Sequence, residues 1–106
     1  MRDRIRADLT LAMKVQDRSR INVLRSALSA IDNAGAVAAT GSSEGTIGYA
    51  DVASRSLDEG EVLELIAGEI SARETSAGHY LELGLTEQAR KLSEVGDILR
   101  AYLGDA

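Results

Sequence analysis

A chain of 106 residues with a formal net charge of −5 and 44% hydrophobic residues is long enough for one domain with a small core. The absence of cysteine excludes disulfides, thiolate metal sites and thiol nucleophiles. No stretch approaches the roughly 18 consecutive apolar residues of a membrane span, and residues 1–14 lack the continuous apolar centre of a signal peptide. We therefore expect a cytoplasmic protein with no membrane partner.

The charged residues are unevenly distributed. Residues 1–25 carry seven basic and three acidic side chains, whereas residues 51–106 carry five basic and twelve acidic ones. Because nonspecific binding to nucleic acid requires clustered Lys and Arg, the acidic balance predicts no DNA partner. The basic N-terminal region still offers a local RNA contact through Arg2, Arg4 and Arg6. The alternative is that these side chains pair with acidic residues of neighbouring helices.

Apolar periodicity predicts four helices, at about residues 2–16, 19–38, 57–83 and 86–103. The second helix organises the others, because spacings of three and four place one apolar stripe along it, formed by Ile21, Leu24, Leu28 and Ile31. The remaining helices carry similar stripes. The predicted fold is therefore all-α, a small antiparallel bundle of four helices.

The predicted connections differ in length. The break between the first two helices contains no Gly or Pro, which indicates either a short turn or one bent helix that runs through it, and we favour two helices. Residues 40–55 are rich in Gly, Ser and Thr and lose the helical spacing of apolar residues, so we expect a flexible loop inside one domain. The third helix is predicted to begin with a capping box that has Ser56 at N-cap and Glu59 at N3.

Two arginines lie on or beside the apolar stripes and would need partners if buried. They are Arg25 on the second helix and Arg73 on the third, with Glu69 and Glu74 as candidate acceptors. The functional interpretation is an anion site formed by two guanidinium groups. The structural interpretation is an ion pair that sets the register of the second and third helices, with the aliphatic stems packed against apolar neighbours.

Other polar residues give no catalytic pattern. His79 has no second His and no Cys to complete a metal site, and the Gly/Ser-rich segment has no nucleotide-binding fingerprint. We predict no catalytic, cofactor-binding or metal site. Tyr80 and Tyr102 end apolar stripes and could stack on RNA bases or close the ends of the core.

Three stretches resemble the N-terminal helical part of the YqeY-like family. They are RIRADLTLAMKVQDRSRINVLRSALSAIDNA, SLDEGEVLELIAGEISARETSAGHYLELG and ILRAYL. The matching features are Ala12-Met13, Leu24-Arg25, Ile31, Asn33, Glu69-Ile70, Arg73-Glu74, Ser76, Tyr80 and Tyr102-Leu103. Members of the family usually continue after Tyr-Leu-Pro into a second small helical subdomain. Here Gly104, Asp105 and Ala106 follow Tyr102-Leu103, so we expect a single helical domain with that subdomain absent.

The family is similar to the tail region of the B component of the bacterial aspartyl/glutamyl-tRNA amidotransferase. The resemblance implies a non-catalytic accessory module linked to tRNA-dependent amidation, with tRNA or an amidotransferase or synthetase complex as partner. An alternative is a protein-interaction or homodimerisation module with no RNA role. A third hypothesis is a carbon–nitrogen ligase with glutamine as amido donor, although no nucleophile or base for it is recognised in the sequence.

Overall fold

The computed structural model describes the backbone of residues 1–41 and 57–104 and the side chains of residues 1–36 and 57–104. Four helices form within these ranges: α1 (Arg2–Lys14), α2 (Arg18–Gly41), α3 (Glu59–Glu82) and α4 (Thr86–Arg100). The predicted all-α class and the four predicted helices are confirmed, with ends that differ by a few residues. The predicted flexible loop at 40–55 lies outside the described residues, except that α2 continues through its first two positions.

The turn between α1 and α2 contains a residue other than glycine in a backbone conformation that glycine usually adopts. Gln16 has φ of 58°, in the left-handed region that an L side chain adopts only with strain. The amide of Asp17 donates to the carbonyl of Ala12 at 2.9 Å, and the amide of Gln16 donates to that of Met13 at 3.2 Å, which is the Schellman pattern. A three-residue turn therefore separates the two helices.

The predicted capping box at the start of α3 is wrong by two residues. Asp58, not Ser56, is the N-cap: its carboxylate accepts from the amide of Glu61 at 2.8 Å, and the Glu61 carboxylate accepts from the amide of Asp58 at 2.9 Å. This register places Leu57 and Val62 at the two positions of a hydrophobic staple, and both residues pack in the core. Core packing thus selects between two overlapping capping patterns.

The core lies where the stripes of the four helices meet. Its most deeply buried side chains are Ile5, Leu24, Ile31 and Ile66. Gly35 lies inside α2 and is buried, and α3 and α4 form the closest helix pair. Burial of a Leu or Ile side chain contributes about 1.5–3 kcal/mol, so these positions supply much of the force that holds the helices together.

Polar contacts tie the start of α1 to α2 and α3. Arg2 donates to the carboxylate of Asp32 at 2.5 Å, and the N-terminal ammonium of Met1 lies 3.3 Å from the Glu59 carboxylate. Because Arg2 begins α1 and Asp32 lies late in α2, the two helices run antiparallel.

A second group of contacts joins α1 to the residues that follow α4. Tyr102 is only 4% exposed, and its hydroxyl donates to the carboxylate of Asp8. The guanidinium of Arg4 lies 4.6 Å from the centre of the Tyr102 ring and donates to the carbonyl of Ala101 at 3.2 Å. Burial and the bond to Asp8 raise the pKa of Tyr102 far above its ordinary value. Tyr102 therefore closes one end of the core.

Candidate nucleic-acid contact surface

The three N-terminal arginines predicted to contact RNA are all engaged within the protein. Arg2 pairs with Asp32, and Arg4 stacks on Tyr102. Arg6 lies 3.6 Å from the carboxylate of Asp3, one turn earlier on the same helix, and both side chains are exposed. Of the three, Arg6 alone could turn to an external phosphate without disrupting a contact between helices.

The two arginines predicted to form an anion site line different cavities. Arg73 pairs with Glu69 at 2.9 Å, and both side chains are about one-third exposed. This pair lies within α3, because the two residues are one turn apart on the same face. Arg25 lies on the exposed side of α2, in a cavity that does not include Arg73. The fourth candidate, Glu74, accepts from Arg100 and so connects α3 to α4.

Most basic residues with described side chains have a partner. Carboxylates pair with Arg2, Arg6, Arg20, Arg73, Arg90 and Arg100. On α4, the hydrogen bond and charge of Arg90 lower the pKa of Glu87, and Glu87 in turn raises the pKa of Arg90, so this exposed pair stays ionised. Such pairs leave little positive potential for a ligand.

Lys14 and Lys91 have no ion-pair partner among residues 1–36 and 57–104, and the same holds for two neighbouring arginines of α2, Arg18 and Arg25. Both arginines line a surface cavity of about 420 Å³ at the corner between α1 and α2. Asn22 lies between them on the same wall, Gln16 adds a second amide, and Met13 and Ile21 supply apolar surface. Two guanidinium groups and two amides can donate several hydrogen bonds to an anion.

This cavity belongs to a longer polar surface, which we call the α2 polar row. It consists of five exposed side chains spaced four, three, four and four residues apart: Arg18, Asn22, Arg25, Ser29 and Asn33. At 1.5 Å per residue the row is about 22 Å long. It contains no acidic residue, and the neighbouring Asp32 is neutralised by Arg2. The row is therefore suited to a negatively charged, extended partner.

The row follows from the sequence of α2. Its residues lie opposite the buried stripe that contains Leu24 and Ile31, and the backbone amide of Arg20 is capped by the Asp17 carboxylate at 3.2 Å. Arg25 could be identified from the sequence as a candidate, whereas Arg18 and Asn22 were missed. The helical spacing of polar residues was the signal that could have found them.

The remaining candidates lie apart from this surface. His79 is exposed in the last turn of α3, and among the described residues no group of three or more His, Asp or Glu side chains could hold a metal. Tyr80 is 36% exposed near the end of α3, whereas Tyr102 is buried. Of the helices within 1–41 and 57–104, none combines the length and apolar character needed to cross a bilayer.

The comparisons with known proteins gave one match. The family model described as Yqey-like protein matches residues 2–106. Comparison with curated proteins and with solved structures gave no match. The family model thus spans all four helices and the connection between α2 and α3.

Proposed function

Because the chain belongs to the YqeY-like family, we propose that it is a non-catalytic helical accessory module of the cytoplasm that contacts tRNA through the α2 polar row. The observation that carries the proposal is the cavity with Arg18 and Arg25, two guanidinium groups without a carboxylate partner in the described part of the chain. The resemblance to the tail of the B component of the amidotransferase supports tRNA as the nucleic acid, and tRNA-dependent amidation as the setting.

The geometry favours contact with an RNA backbone over readout of bases. Arg18 and Arg25 are separated by about 10 Å along the helix axis, which allows the two guanidinium groups to contact different phosphates of one strand. Asn22, Ser29 and Asn33 add neutral donors along the same line. Contacts of this kind position a protein on nucleic acid but carry little sequence information.

Binding of fluorescently labelled tRNA, followed by anisotropy at low salt, tests the proposal. Arg18→Ala/Arg25→Ala should weaken binding about tenfold or more, because two phosphate contacts are lost. The matched control is Arg90→Ala/Arg100→Ala, which removes the same charge from exposed ion pairs on α4 and should change affinity much less. Equal weakening by both variants, or no binding by the unmodified chain, would contradict the proposal.

A second candidate function, protein interaction or homodimerisation, is favoured by the tip of the α3–α4 hairpin. Leu81, Leu83 and Leu85 are 56%, 70% and 40% exposed there. The turn is well defined, because Gly84 has φ of 78° and the amide of Leu85 donates to the carbonyl of Tyr80 at 2.8 Å. Contiguous exposed apolar residues are typical of interaction sites.

Light scattering distinguishes the two candidates. A homodimer that uses the tip should show a mass that rises with concentration, and Leu83→Glu should return it to the mass of one chain. A mass of one chain at every concentration would exclude self-association.

Release of ammonia from glutamine by the purified chain would instead support the ligase hypothesis and contradict a purely accessory role.

A further inference from the structure

A second cavity, separate from the α2 polar row except for Asn22, lies where α2 crosses α3 and α4. It is partly enclosed and has a volume of about 150 Å³. Its walls are apolar: α2 contributes Ala27 and Ala30, α3 contributes Leu65, and α4 contributes Val95. The space lies beside Ala27 and Ala30, whose short side chains leave room between α2 and the larger side chains of α3 and α4.

The mouth of this cavity is polar but electrically balanced. The Glu69–Arg73 ion pair, at 2.9 Å, lines it together with Asn22 and Ser26. The ion pair has no net charge, yet it leaves a carboxylate oxygen as an acceptor and several guanidinium N–H groups as donors. A ligand with a charged head would have to break the pair, whereas a neutral head that both donates and accepts would not.

From this combination we infer that the cavity binds a small, uncharged amphiphile: a branched aliphatic or single-ring body inside, and an amide or hydroxyl head at the mouth. Apolar cavities of about 150 Å³ hold ligands of the size of benzene in another protein. Four or five carbon atoms of the ligand are removed from water when they enter the cavity. Their burial gives a Kd of about 1 mM for so small a ligand. The inference is independent of the proposed contact with tRNA.

The inference is tested by titrating the uniformly ¹⁵N-labelled full chain with four probes and following amide chemical shifts. 3-Methylbutanamide should cause saturable shifts at Ala27, Ala30, Leu65 and Val95. The anion 3-methylbutanoate and the cation 3-methylbutylammonium carry the same body, and each should bind at least fivefold more weakly. Acetamide, which has the head without the body, should cause no saturable shift.

Variants locate the ligand and its head. Ala30→Leu fills the cavity and should abolish the shifts caused by 3-methylbutanamide, whereas the matched control Ala72→Leu, at an exposed position of α3 outside the cavity, should leave them unchanged. Glu69→Gln leaves the positive charge of Arg73 uncompensated and should raise the affinity for 3-methylbutanoate severalfold. If Ala30→Leu does not fold, the affinity of Glu69→Gln for 3-methylbutanoate still tests the inference.

Several results would overturn the inference. They are the absence of saturable shifts with 3-methylbutanamide, equal affinities for the neutral, anionic and cationic probes, and shifts that persist in folded Ala30→Leu. Shifts confined to Leu81, Leu83 and Leu85 would also overturn it, because they would show binding to the exposed hairpin tip. Unchanged affinity for 3-methylbutanoate in Glu69→Gln would contradict the assigned role of the ion pair.

Discussion

Replacing Tyr102 with Phe tests whether one hydroxyl holds α1 against the residues that follow α4. The substitution keeps the buried ring and its contact with Arg4 but removes the hydrogen bond to Asp8. The Asp8 carboxylate then loses a donor in a half-buried position. The expected effect is on the free energy of unfolding, since the ring still fills its space.

The size of the effect follows from the charge and burial of the pair. A hydrogen bond to a charged group is worth about 1.5–3 kcal/mol. Asp8 is half-buried, so water can replace part of the lost donor, and we expect the low end, about 1.5 kcal/mol. For a chain of 106 residues, this corresponds to a fall in Tm of roughly 7 °C.

The effect should also depend on pH. The raised pKa of Tyr102 means that the folded chain keeps the phenol proton after the unfolded chain has lost it, at about pH 10. This contribution to stability is therefore complete below pH 10 and falls by about 1.4 kcal/mol per pH unit above it. At pH 11 the difference between the unmodified chain and Tyr102→Phe should have nearly vanished.

Urea denaturation followed by far-UV circular dichroism at pH 7, 10 and 11 measures both quantities. Tyr80→Phe is the matched control, because Tyr80 is 36% exposed, and it should stay within about 0.5 kcal/mol of the unmodified chain at pH 7. If Tyr102→Phe is as stable as the unmodified chain at pH 7 and both lose stability in parallel above pH 10, the role assigned to the hydroxyl is wrong.

Three further substitutions test the backbone and the core by the same assay at pH 7. Gln16→Gly should stabilise the chain by up to about 1 kcal/mol, because glycine adopts the left-handed φ without strain; destabilisation would contradict the assigned turn. Asp58→Ala should cost about 1 kcal/mol through loss of the N-cap, and no change would place the start of α3 elsewhere. Leu24→Ala should cost about 3 kcal/mol or more, because it leaves a cavity at a fully buried position. The control Leu11→Ala, at a position 60% exposed, should cost far less.

The helices could be predicted from the sequence because each one carries its own evidence. Leu24, Ile66 and Leu99 lie on stripes whose period is local, and all three are buried. The start of α3 was placed wrongly because the letters SLDEGE contain two overlapping capping patterns. Choosing Asp58 over Ser56 requires knowing that Leu57 packs in the core, which is tertiary information.

The polar partners could not be predicted, because they depend on which helices meet and at what height. Tyr102 and Asp8 are 94 residues apart in sequence, and Arg4 and Ala101 are 97 apart. For the same reason, sequence patterns could name Glu69 and Glu74 as candidate acceptors for Arg25 and Arg73 but could not say which arginine meets which acceptor. Arg25 shares its cavity with Arg18 on the side of α2 opposite the buried stripe. This cavity forms only because α1 packs against α2.

The central claim is that Arg18 and Arg25 of α2 bind RNA phosphates, and the salt dependence of tRNA binding tests it most directly. Two phosphate contacts made by Arg18 and Arg25 should contribute about −1.4 to −1.8 to the slope of a plot of log K against log salt concentration. We expect Arg18→Ala/Arg25→Ala to make the slope shallower by about that amount, and Arg90→Ala/Arg100→Ala to change it little. An equal slope for the unmodified chain and the Arg18/Arg25 variant would contradict the account.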